Sequence, residues 1–444
     1  MRKPIIPPDV TELFAGIDAS RISKMLTAAS SSTPNNEYLH WDKLLRKNPP
    51  TGLTHMEWWW GIKLHRRTGS KSIPLHSTSN KNFWFGLPDP IPAILHEIDL
   101  RAGGTIQVPR QITNPDMKDR YYVGSLIEEA ITSSQIEGAV TTRQVAKDMI
   151  RSGRKPSDRS ERMILNNFIT MRRIGELKDR PLTGDLVFEI HRLITEDTLE
   201  NPIAAGRMRL NDESEKVVVD DMYGEVYHTP PSAAELPARL KAMCDFANGK
   251  TPAVFVHPVL RSIILHFWLA YDHPFLDGNG RTARALFYWS MLRHNYWLFE
   301  FISISPIILK APSRYQLAFL HTETDDCDLT YFILYHLDVI QKAIRHLHAY
   351  IKRKTEQVQQ LEASLRGAAA LNHRQRALIS HALRHPRQTY TIESHRLSHN
   401  IVYETARKDL HELAERNLLN AVKVGKEWHF TPTDNLEGRL SQLS

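Results

Sequence analysis

Twelve consecutive residues, His273 to Arg284, bring together side chains that could bind phosphate and move a proton. They read His-Pro-Phe-Leu-Asp-Gly-Asn-Gly-Arg-Thr-Ala-Arg. His273 is the one side chain among them that is suited to take up a proton near pH 7. Gly278 and Gly280 let the backbone turn where a helix begins, so that N–H groups are exposed at the positive end of the helix dipole. Such a helix start binds anions.

Charged residues beside this turn extend the anion site. Arg281 and Arg284 are three positions apart, so they share one face of the first helical turn and can both donate to phosphate oxygens. Asp277 is a single carboxylate next to them, and one carboxylate with substrate phosphates and water is a usual arrangement for Mg²⁺. The stretch therefore predicts a phosphate site, a metal ligand and a general base, which together suit the transfer of a nucleotide to a hydroxyl group.

Two apolar stretches with helical spacing flank the motif and must hold it in place. Pro258 to Tyr271 lies upstream, with its proline suited to a first helical turn, and Arg281 to Leu292 lies downstream. A loop between two core helices is well positioned for a rigid site. A Gly-x-Gly turn, a histidine before proline or an arginine pair would each usually be structural when found alone. Their occurrence together favours a functional site.

The motif His-x-Phe-x-Asp-Gly-Asn-Gly-Arg-x-x-Arg resembles that of Fic-domain proteins, and this sequence matches every fixed position. The resemblance implies a helical core with the motif between two central helices, and transfer of AMP from ATP to a Ser, Thr or Tyr hydroxyl of a target protein. It implies that His273 is the general base and that Asp277 holds Mg²⁺. The backbone of Gly278, Asn279 and Gly280, together with Arg281, would bind the α- and β-phosphates, and Arg284 the γ-phosphate. Some family members transfer other groups or remove AMP, so the reaction stays open.

A second motif lies on a predicted helix from Lys118 to Ala139, which Gly138 should end. Ser133 and Glu137 are four apart and share a face. A solvated glutamate is the ordinary interpretation of such a residue. However, Ser-x-x-x-Glu-Gly resembles the inhibitory helix of Fic proteins, and this resemblance implies that Glu137 pairs with Arg284. An arginine held by a carboxylate cannot bind phosphate, so low basal activity is expected.

A β-hairpin is predicted at residues 216–228, because two β-rich segments flank a turn-like sequence there. Gly206-x-x-Arg209 upstream resembles the sequence that precedes the flap of Fic proteins. The resemblance implies that a target protein docks on this hairpin by strand addition. A plain surface hairpin is the alternative.

Aromatic residues supply two further candidates. Tyr315 lies where Fic proteins often carry aromatic residues near the adenine, although Arg314 replaces the second tyrosine expected beside it. The adjacent tryptophans Trp58, Trp59 and Trp60 cannot all face one core from a single helix, so at least one should meet a second layer or a partner. Core packing is favoured for them over a ligand role.

The last part of the chain, residues 372–434, has a different organisation. Helices are predicted at 373–384, 391–397 and 400–416, followed by a small hairpin around Gly425. This order resembles a winged helix-turn-helix, whose third helix would enter the major groove with Tyr403, Arg407 and Lys408 outward. Lys423 and Lys426 could meet phosphate. DNA contact through 400–430 is one expectation, and protein docking is the other.

Composition places few further limits. The 444-residue chain is 41% hydrophobic and 24% charged, which is ordinary for globular proteins. Its net charge of +7 weakly favours a nucleic-acid or acidic partner. No apolar run is long enough to span a membrane, and the N-terminus has no apolar signal core. The two cysteines form no disulfide framework, and the 22 histidines are scattered without metal-site spacing. A cytoplasmic location is expected.

We therefore predict an all-α protein in four parts. These are an N-terminal helical extension (1–117) that includes a helix from Val10 to Leu26 and a polar loop at 66–80, a Fic-type core (118–345), a helical linker (346–371) and the winged helix (372–434). The expected activity is protein adenylylation with ATP and Mg²⁺, and a homodimer is one candidate assembly. The alternative is a DNA-binding transcriptional regulator whose core senses nucleotide. The intact His273 favours the enzyme, because a sensor needs no base.

Overall fold

A computed structural model describes residues 3–9, 19–31, 37–103, 115–216, 219–220, 226–367, 371–385, 388–425, 427–434 and 436–440. The chain divides into two compact units, Met1–Leu347 and His348–Ser444. The division between the units falls within a helix that spans Thr330–Gly367.

Helices account for most of the first unit. In chain order they are α1 Ala19–Ser31, α2 Trp41–Leu44, α3 His55–Arg67, α4 Ile91–Ala102, α5 Pro115–Ile136, α6 Arg143–Ser152, α7 Arg159–Leu177, α8 Gly184–Thr195, α9 Leu236–Ala247, α10 Pro258–Asp272, α11 Asn279–Arg293, α12 Ser305–Lys310, α13 Pro312–Thr324 and α14 Thr330–Gly367. None of the helices in the described parts of the chain is both long and apolar enough to cross a membrane.

Helices α10 and α11 lie at the centre of this unit. Ile263, Phe267, Leu286 and Trp289 are fully buried, and nearly every other residue of the two helices is buried as well. Helices that are apolar on all sides must be surrounded by other elements. The flanking helices predicted around the motif are thus confirmed, and they fix both ends of the loop between them.

The predicted helix bounds need three adjustments. Helix α5 ends at Ile136, and Gly138 follows with a left-handed φ of +91°. The N-terminal helix expected at Val10 to Leu26 is described only as α1, because residues 10–18 lie outside the described ranges. Helix α14 runs to Gly367, and residues 368–370 of the predicted linker are likewise outside the described ranges.

Two short antiparallel hairpins accompany the helices. Strand β1 Lys71–His76 pairs with β2 Asn82–Phe85, and β3 Val219–Asp220 pairs with β4 Val226–His228. The first hairpin corrects the prediction of a loop at 66–80: Ile73 and Leu75 are buried and alternate with polar residues, which is the period of a strand. The second falls within the hairpin predicted at 216–228, of which residues 217–218 and 221–225 lie outside the described residues.

The three adjacent tryptophans of α3 are all core residues, each 1% exposed. Trp58 and Trp59 pack in a cluster with Trp41, whereas Trp60 packs in a different cluster with Met25. The rings point in successive directions around α3, and each direction is covered by another part of the chain. The core interpretation of these residues is therefore correct, and the second layer expected for one of them is present.

Buried ion pairs join α3 to the region between α13 and α14. Lys63 Nζ lies 2.9 Å from Asp325 Oδ1, and both side chains are less than 10% exposed. Arg66 donates to the Tyr331 hydroxyl at 2.8 Å and to the Leu39 carbonyl at 2.9 Å. Buried charges are tolerated when they are paired. This network holds α3 in place within the compact unit that also contains the motif.

The second unit contains a three-stranded sheet and short helices. Its elements are α15 His373–Arg384, β5 Tyr390–Thr391, α16 Ile392–His399, α17 Tyr403–Glu415, β6 Leu419–Val424, β7 Glu427–Pro432 and α18 Leu436–Leu440. The strand order is β5-β7-β6, with antiparallel pairing. Its core includes the buried residues Leu378, Ile392, Leu410, Leu413 and Phe430.

Helix α17 has one face in this core and one in solvent. Tyr403, Arg407 and Lys408 are exposed, as their predicted outward positions require. Asp409 of the same helix is buried, with 3% of its surface exposed. It accepts from Arg374 Nε at 2.7 Å and lies 3.2 Å from His395 Nε2.

Candidate active site

The loop between α10 and α11 is closed by its own residues. Helix α10 ends at His273, which has a left-handed φ of +45°, and Gly278 begins α11 with a φ of +83°. The Asn279 side chain accepts from the Phe275 N–H at 3.0 Å and donates to the Phe275 carbonyl at 2.8 Å. The amide of Asn279 is therefore committed to the loop, and only its backbone is available to a ligand.

Arg209 fixes the loop from outside. Its Nε donates to the His273 carbonyl at 3.0 Å, and its backbone N–H donates to the Pro274 carbonyl at 2.9 Å. Its Nη2 also donates to the Pro231 carbonyl. The Gly206-x-x-Arg209 sequence resembles the one that precedes the flap of Fic proteins. Its arginine thus holds the backbone of His273, the candidate base, and of Pro274.

His191 is a second support, and the sequence offered no signal for it. The Gly206 N–H donates to Nδ1 at 3.0 Å, so Nε2 carries the proton and donates to the Asp277 carbonyl at 2.9 Å. The ring stacks on Phe275 with centroids 3.7 Å apart. Burial lowers the pKa of His191 to about 4, so it remains neutral and keeps this tautomer at neutral pH.

His273 presents one ring nitrogen to a cavity. Its Nδ1 lies 3.2 Å from the Ala270 carbonyl, which can only accept, so Nδ1 carries the proton and Nε2 has a lone pair. The residue lines a cavity of about 460 Å³. Burial lowers the pKa of His273 to about 4. The imidazole is therefore a neutral acceptor at physiological pH, as a general base must be.

The start of α11 has the features of an anion site. The first helical hydrogen bond runs from the Thr282 N–H to the Gly278 carbonyl, and no side chain caps the helix. The N–H groups of Asn279, Gly280 and Arg281 are thus outside the helical ladder. Arg281 is fully buried, and its Nε has no hydrogen-bond partner among the described residues. A buried cation with an unused donor beside a helix start favours an anionic ligand.

Asp277 lies at the edge of this anion site, with its side chain 37% exposed. Its Oδ1 accepts from the Gly278 N–H at 2.5 Å and lies 3.5 Å from Arg281 Nη2. Its Oδ2 lies 3.0 Å from Arg159 Nη2. Carboxylate oxygens at a partly open position suit Mg²⁺, provided that the ion shares or replaces the Arg159 contact. The donor set therefore fits a magnesium ion bound through this one carboxylate and the phosphates.

Arg284 and Glu137 form an ion pair at the same helix start. Arg284 Nη2 donates to Glu137 Oε1 at 2.8 Å and to the Ser133 carbonyl at 2.9 Å, and its Nε donates to Ser133 Oγ at 2.8 Å. Burial alone would lower the pKa of Arg284, but the Glu137 carboxylate outweighs it and raises this pKa. The structure thus brings together the three residues of the predicted inhibitory pairing.

The Glu137 carboxylate also covers the backbone of the glycine turn. A Cβ atom built at Gly280 would lie 2.9 Å from Glu137 Oε2 and would overlap the rest of the carboxyl group. The carboxylate therefore occupies the space directly in front of the α11 start. An anionic group lies where a phosphate would bind, and one of the two motif arginines is engaged by it.

The cavity contains the remaining site candidates. Its lining includes Glu137, His273, Gly280 and Tyr315, together with apolar side chains. The Tyr315 hydroxyl lies 2.8 Å from His266 Nε2, and burial raises the pKa of Tyr315 to about 12. Tyr315 is thus a neutral aromatic residue in the wall of this cavity, which has the size that small-molecule sites usually have.

Strand β4 supplies one wall of the same cavity through Tyr227 and His228. His228 lies between two acceptors, with Nε2 2.7 Å from the Tyr271 carbonyl and Nδ1 2.7 Å from Glu323. Burial opposes the charged form, but the Glu323 contact outweighs it and raises the pKa of His228. This histidine anchors the described part of the hairpin beside His273, a contact that sequence spacing did not indicate.

Comparison with known proteins finds a similar family. Residues 181–291 match the family model described as Fic/DOC family, and this range contains the whole motif. This part of the chain is therefore similar to a Fic domain, as the resemblance of the motif predicted.

Curated relatives of the chain are named protein adenylyltransferases. "Protein adenylyltransferase Fic" of Nematostella vectensis is 30% identical over 178 residues, which cover 40% of this chain and 36% of that protein. "Protein adenylyltransferase fic-1" of Caenorhabditis elegans is 25% identical over 204 residues, 45% of this chain and 35% of that protein. The chain thus spans about a third of the length of these curated relatives. A solved Fic family protein from Desulfovibrio desulfuricans G20 has a TM-score of 0.49 and 17% identity, covering 78% of this chain and 95% of that one.

The tight fit of the motif loop can be tested at Gly278. We expect Gly278→Ala to lower the free energy of unfolding by about 2 kcal/mol or more, because a left-handed alanine is strained and its Cβ would lie 2.7 Å from Thr195 Cγ2. Gly249→Ala is the matched control, since Gly249 has a φ of +77° with no atom within 4 Å of the added Cβ. Chemical denaturation measures both. Equal losses would show that packing around Gly278 contributes nothing beyond backbone strain.

Proposed function

We propose that this protein transfers AMP from ATP to a Ser, Thr or Tyr hydroxyl of a target protein and of itself, a proposal supported by the match of residues 181–291 to the Fic/DOC family model. The observation that carries this proposal is the convergence on one cavity of a neutral histidine acceptor and an uncapped helix start that carries buried arginines. A base and a phosphate site at one place are what nucleotidyl transfer to a hydroxyl requires.

The chemistry follows from the arrangement. The target hydroxyl attacks the α-phosphorus of ATP, the bond from that phosphorus to the bridging oxygen breaks, and pyrophosphate leaves. His273 Nε2 accepts the hydroxyl proton, while its Nδ1–H bond to Ala270 keeps the ring oriented. The backbone of Gly278, Asn279 and Gly280, with Arg281, binds the phosphates. Mg²⁺ held by Asp277 would neutralise phosphate charge.

Glu137 makes the resting site inhibited in this proposal. Its carboxylate engages Arg284 at 2.8 Å and covers Gly280, so a γ-phosphate has neither the guanidinium nor the space that it needs. The side chain is 25% exposed and follows the end of α5, so it can move away without disturbing the buried core. Release of this one side chain would complete the nucleotide site.

We further propose that the target segment docks along the hairpin at 216–228 by strand addition. What supports this is the position of β4, whose Tyr227 and His228 line the same cavity as His273. A target segment paired with the hairpin would hold its hydroxyl near His273. Because strand addition uses main-chain hydrogen bonds, this docking would depend little on the sequence of the segment.

For the second unit we propose a winged helix-turn-helix at 372–434. The order of its helices and strands supports this, and so does the exposed row of Tyr403, Arg407 and Lys408 on α17. Arg407 and Lys408 lie 3.8 and 3.9 Å from glutamates of the same helix, and such exposed pairs are weak enough to open for phosphate. A role in DNA binding would make the chain a regulator as well as an enzyme.

The transfer activity is tested by intact mass. After incubation with ATP and Mg²⁺, we expect Glu137→Gly to gain the mass of AMP, and wild type to gain little, because only the variant leaves Arg284 open to the γ-phosphate. The Glu137→Gly/His273→Ala double variant should gain none, because it lacks the base. A gain in the double variant would contradict the role of His273, and equal gains in wild type and Glu137→Gly would contradict the inhibition.

The lowered pKa of His273 predicts an unusual pH dependence of the transfer rate. Burial disfavours the charged imidazole and lowers the pKa of His273 to about 4, so the acceptor form is present at all pH values well above that. Self-modification of Glu137→Gly under saturating ATP and Mg²⁺ should therefore be as fast at pH 6 as at pH 7.5. An unperturbed histidine would be only about a quarter neutral at pH 6. A fourfold fall between these two pH values would argue against the lowered pKa.

DNA contact by the second unit is tested by mobility shift at several salt concentrations. We expect affinity to fall with salt, and Arg407→Ala or Lys423→Ala to weaken binding and reduce the salt slope by about 1 each. Lys241→Ala, an equally exposed lysine of the first unit, should leave both unchanged. No shift at low salt would instead favour protein docking.

A further inference from the structure

A cluster of three potential ligands lies outside the proposed active site. His40 precedes α2, Asp42 lies within it, and His321 lies on α13. Asp42 Oδ1 is 3.0 Å from His40 Nδ1 and 3.5 Å from His321 Nε2, and the three ligand atoms all lie within 4.8 Å of one another. The side chains are 0%, 12% and 13% exposed, respectively. Residues 40 and 321 are far apart in sequence, so no spacing rule could have paired them.

The hydrogen bonds of His40 show that its Nδ1 carries a lone pair. Thr324 Oγ1 donates to the Leu320 carbonyl at 2.5 Å, so this hydroxyl can only accept from His40 Nε2, 3.2 Å away. The Asp42 N–H in turn donates to His40 Nδ1 at 3.3 Å. In the neutral ring, Nε2 is therefore the protonated nitrogen and Nδ1 the acceptor.

This tautomer leaves acceptors facing one another. The lone pair of His40 Nδ1 lies 3.0 Å from a carboxylate oxygen of Asp42, a contact that is repulsive unless a cation lies between the two atoms. Nor does His321 Nε2, 3.5 Å from the same oxygen, have a hydrogen-bond partner within the described ranges.

We propose that His40, Asp42 and His321 bind a divalent transition-metal ion, with Zn²⁺ the best match to the ligands. Two imidazole nitrogens and one carboxylate oxygen are ligands that zinc prefers, and three protein ligands leave a fourth position for water. Ligand atoms around a tetrahedral zinc are roughly 3.3 Å apart. The separations of 3.0 and 3.5 Å in the cluster are close to that value.

Metal binding requires a small rearrangement of the rings. His40 and His321 are stacked, with centroids 4.2 Å apart and an interplanar angle of 7°. A metal–nitrogen bond lies in the plane of its imidazole, so the two rings must tilt toward a shared ion. His321 can move because it lies on the partly exposed side of the cluster, whereas His40 is held by Thr324 and the α2 backbone.

The surroundings do not repel a cation. The nearby Lys63 is paired with Asp325, and Arg66 lies 4.0 Å from the same carboxylate. The buried Asp328 also faces both cations, so two carboxylates offset the two positive charges. The ion would join the segment before α2 to α13, the helix that carries Tyr315 and Glu323 of the cavity wall. It would be a structural site for the N-terminal part of the first unit, and it does not depend on the proposed adenylyl transfer.

The test is metal content of the full-length chain. Protein stripped with chelator is dialysed against buffered micromolar Zn²⁺, and bound zinc is counted by mass spectrometry. We expect wild type to bind one equivalent more than Asp42→Asn or His321→Gln, and the exposed-histidine control His65→Ala to bind as much as wild type. Wild type should also unfold at a higher temperature with zinc than without, and the two ligand variants should not.

A second measurement guards against misfolded variants. Co²⁺ added to stripped wild type should give the visible absorption of a four-coordinate site, which His321→Gln loses while keeping the wild-type circular dichroism. Equal zinc content in wild type and both ligand variants would overturn the proposal. So would the absence of bound zinc in wild type at micromolar free Zn²⁺, which would leave a doubly protonated His40 as the cation beside Asp42.

Discussion

The positive charge buried at the start of α11 must be matched by an anion, and much of the site is organised around this requirement. Arg281 is fully buried and Arg284 is 1% exposed. Guanidinium groups removed from water are costly unless they are paired and hydrogen-bonded. Arg284 finds its partner in Glu137. Arg281 donates from Nη1 to the Ile194 carbonyl at 3.2 Å, but its Nε donor is unused within the described residues and its nearest contact with the Asp277 carboxylate is 3.5 Å. The proposed inhibition is a competition between the Glu137 carboxylate and a phosphate group for this place.

The proposed competition for Arg284 requires that the loop between α10 and α11 keeps its conformation. Asn279 closes it with two hydrogen bonds, Arg209 holds its carbonyl groups, and His191 fixes the Asp277 carbonyl. Both ends of the loop emerge from helices buried on nearly all sides. Interiors packed at this density do not shift gradually. Glu137 lies outside this loop and is 25% exposed, so in the proposed inhibition the part that moves is this side chain rather than the loop that it covers.

Sequence patterns within one short stretch identified the candidate catalytic and binding residues of this site. They did not identify the residues that hold the loop in place. The helices around the motif follow from apolar periodicity, and His273, Asp277 and the two arginines follow from residue type within one short stretch. His191 and His228 could not be found in this way, because they come from other elements and their contacts with the loop and its neighbours are made only in the folded chain.

In the fold, too, features that depend on neighbouring residues in the sequence were easier to predict than contacts between residues far apart in it. The first hairpin was missed because a proline separates the two buried aliphatic residues of β1 and polar residues flank them, so the segment shows only two apolar positions of a strand pattern. The His40, Asp42 and His321 cluster depends on the packing of α2 against α13, which only the tertiary structure reveals. The proposed winged helix, by contrast, was predicted element by element from turns and helical spacing.

The central claim is that Glu137 and the terminal phosphate of ATP compete for Arg284, and calorimetry of nucleotide binding tests it most directly. ATP and ADP are titrated into wild type, Glu137→Gly and Glu137→Gly/Arg284→Ala. If the account is right, removal of Glu137 tightens ATP binding at least tenfold, about 1.4 kcal/mol, and ADP binding much less. The additional loss of Arg284 should abolish that difference. Equal tightening of ATP and ADP, or no tightening of either, would contradict the competition.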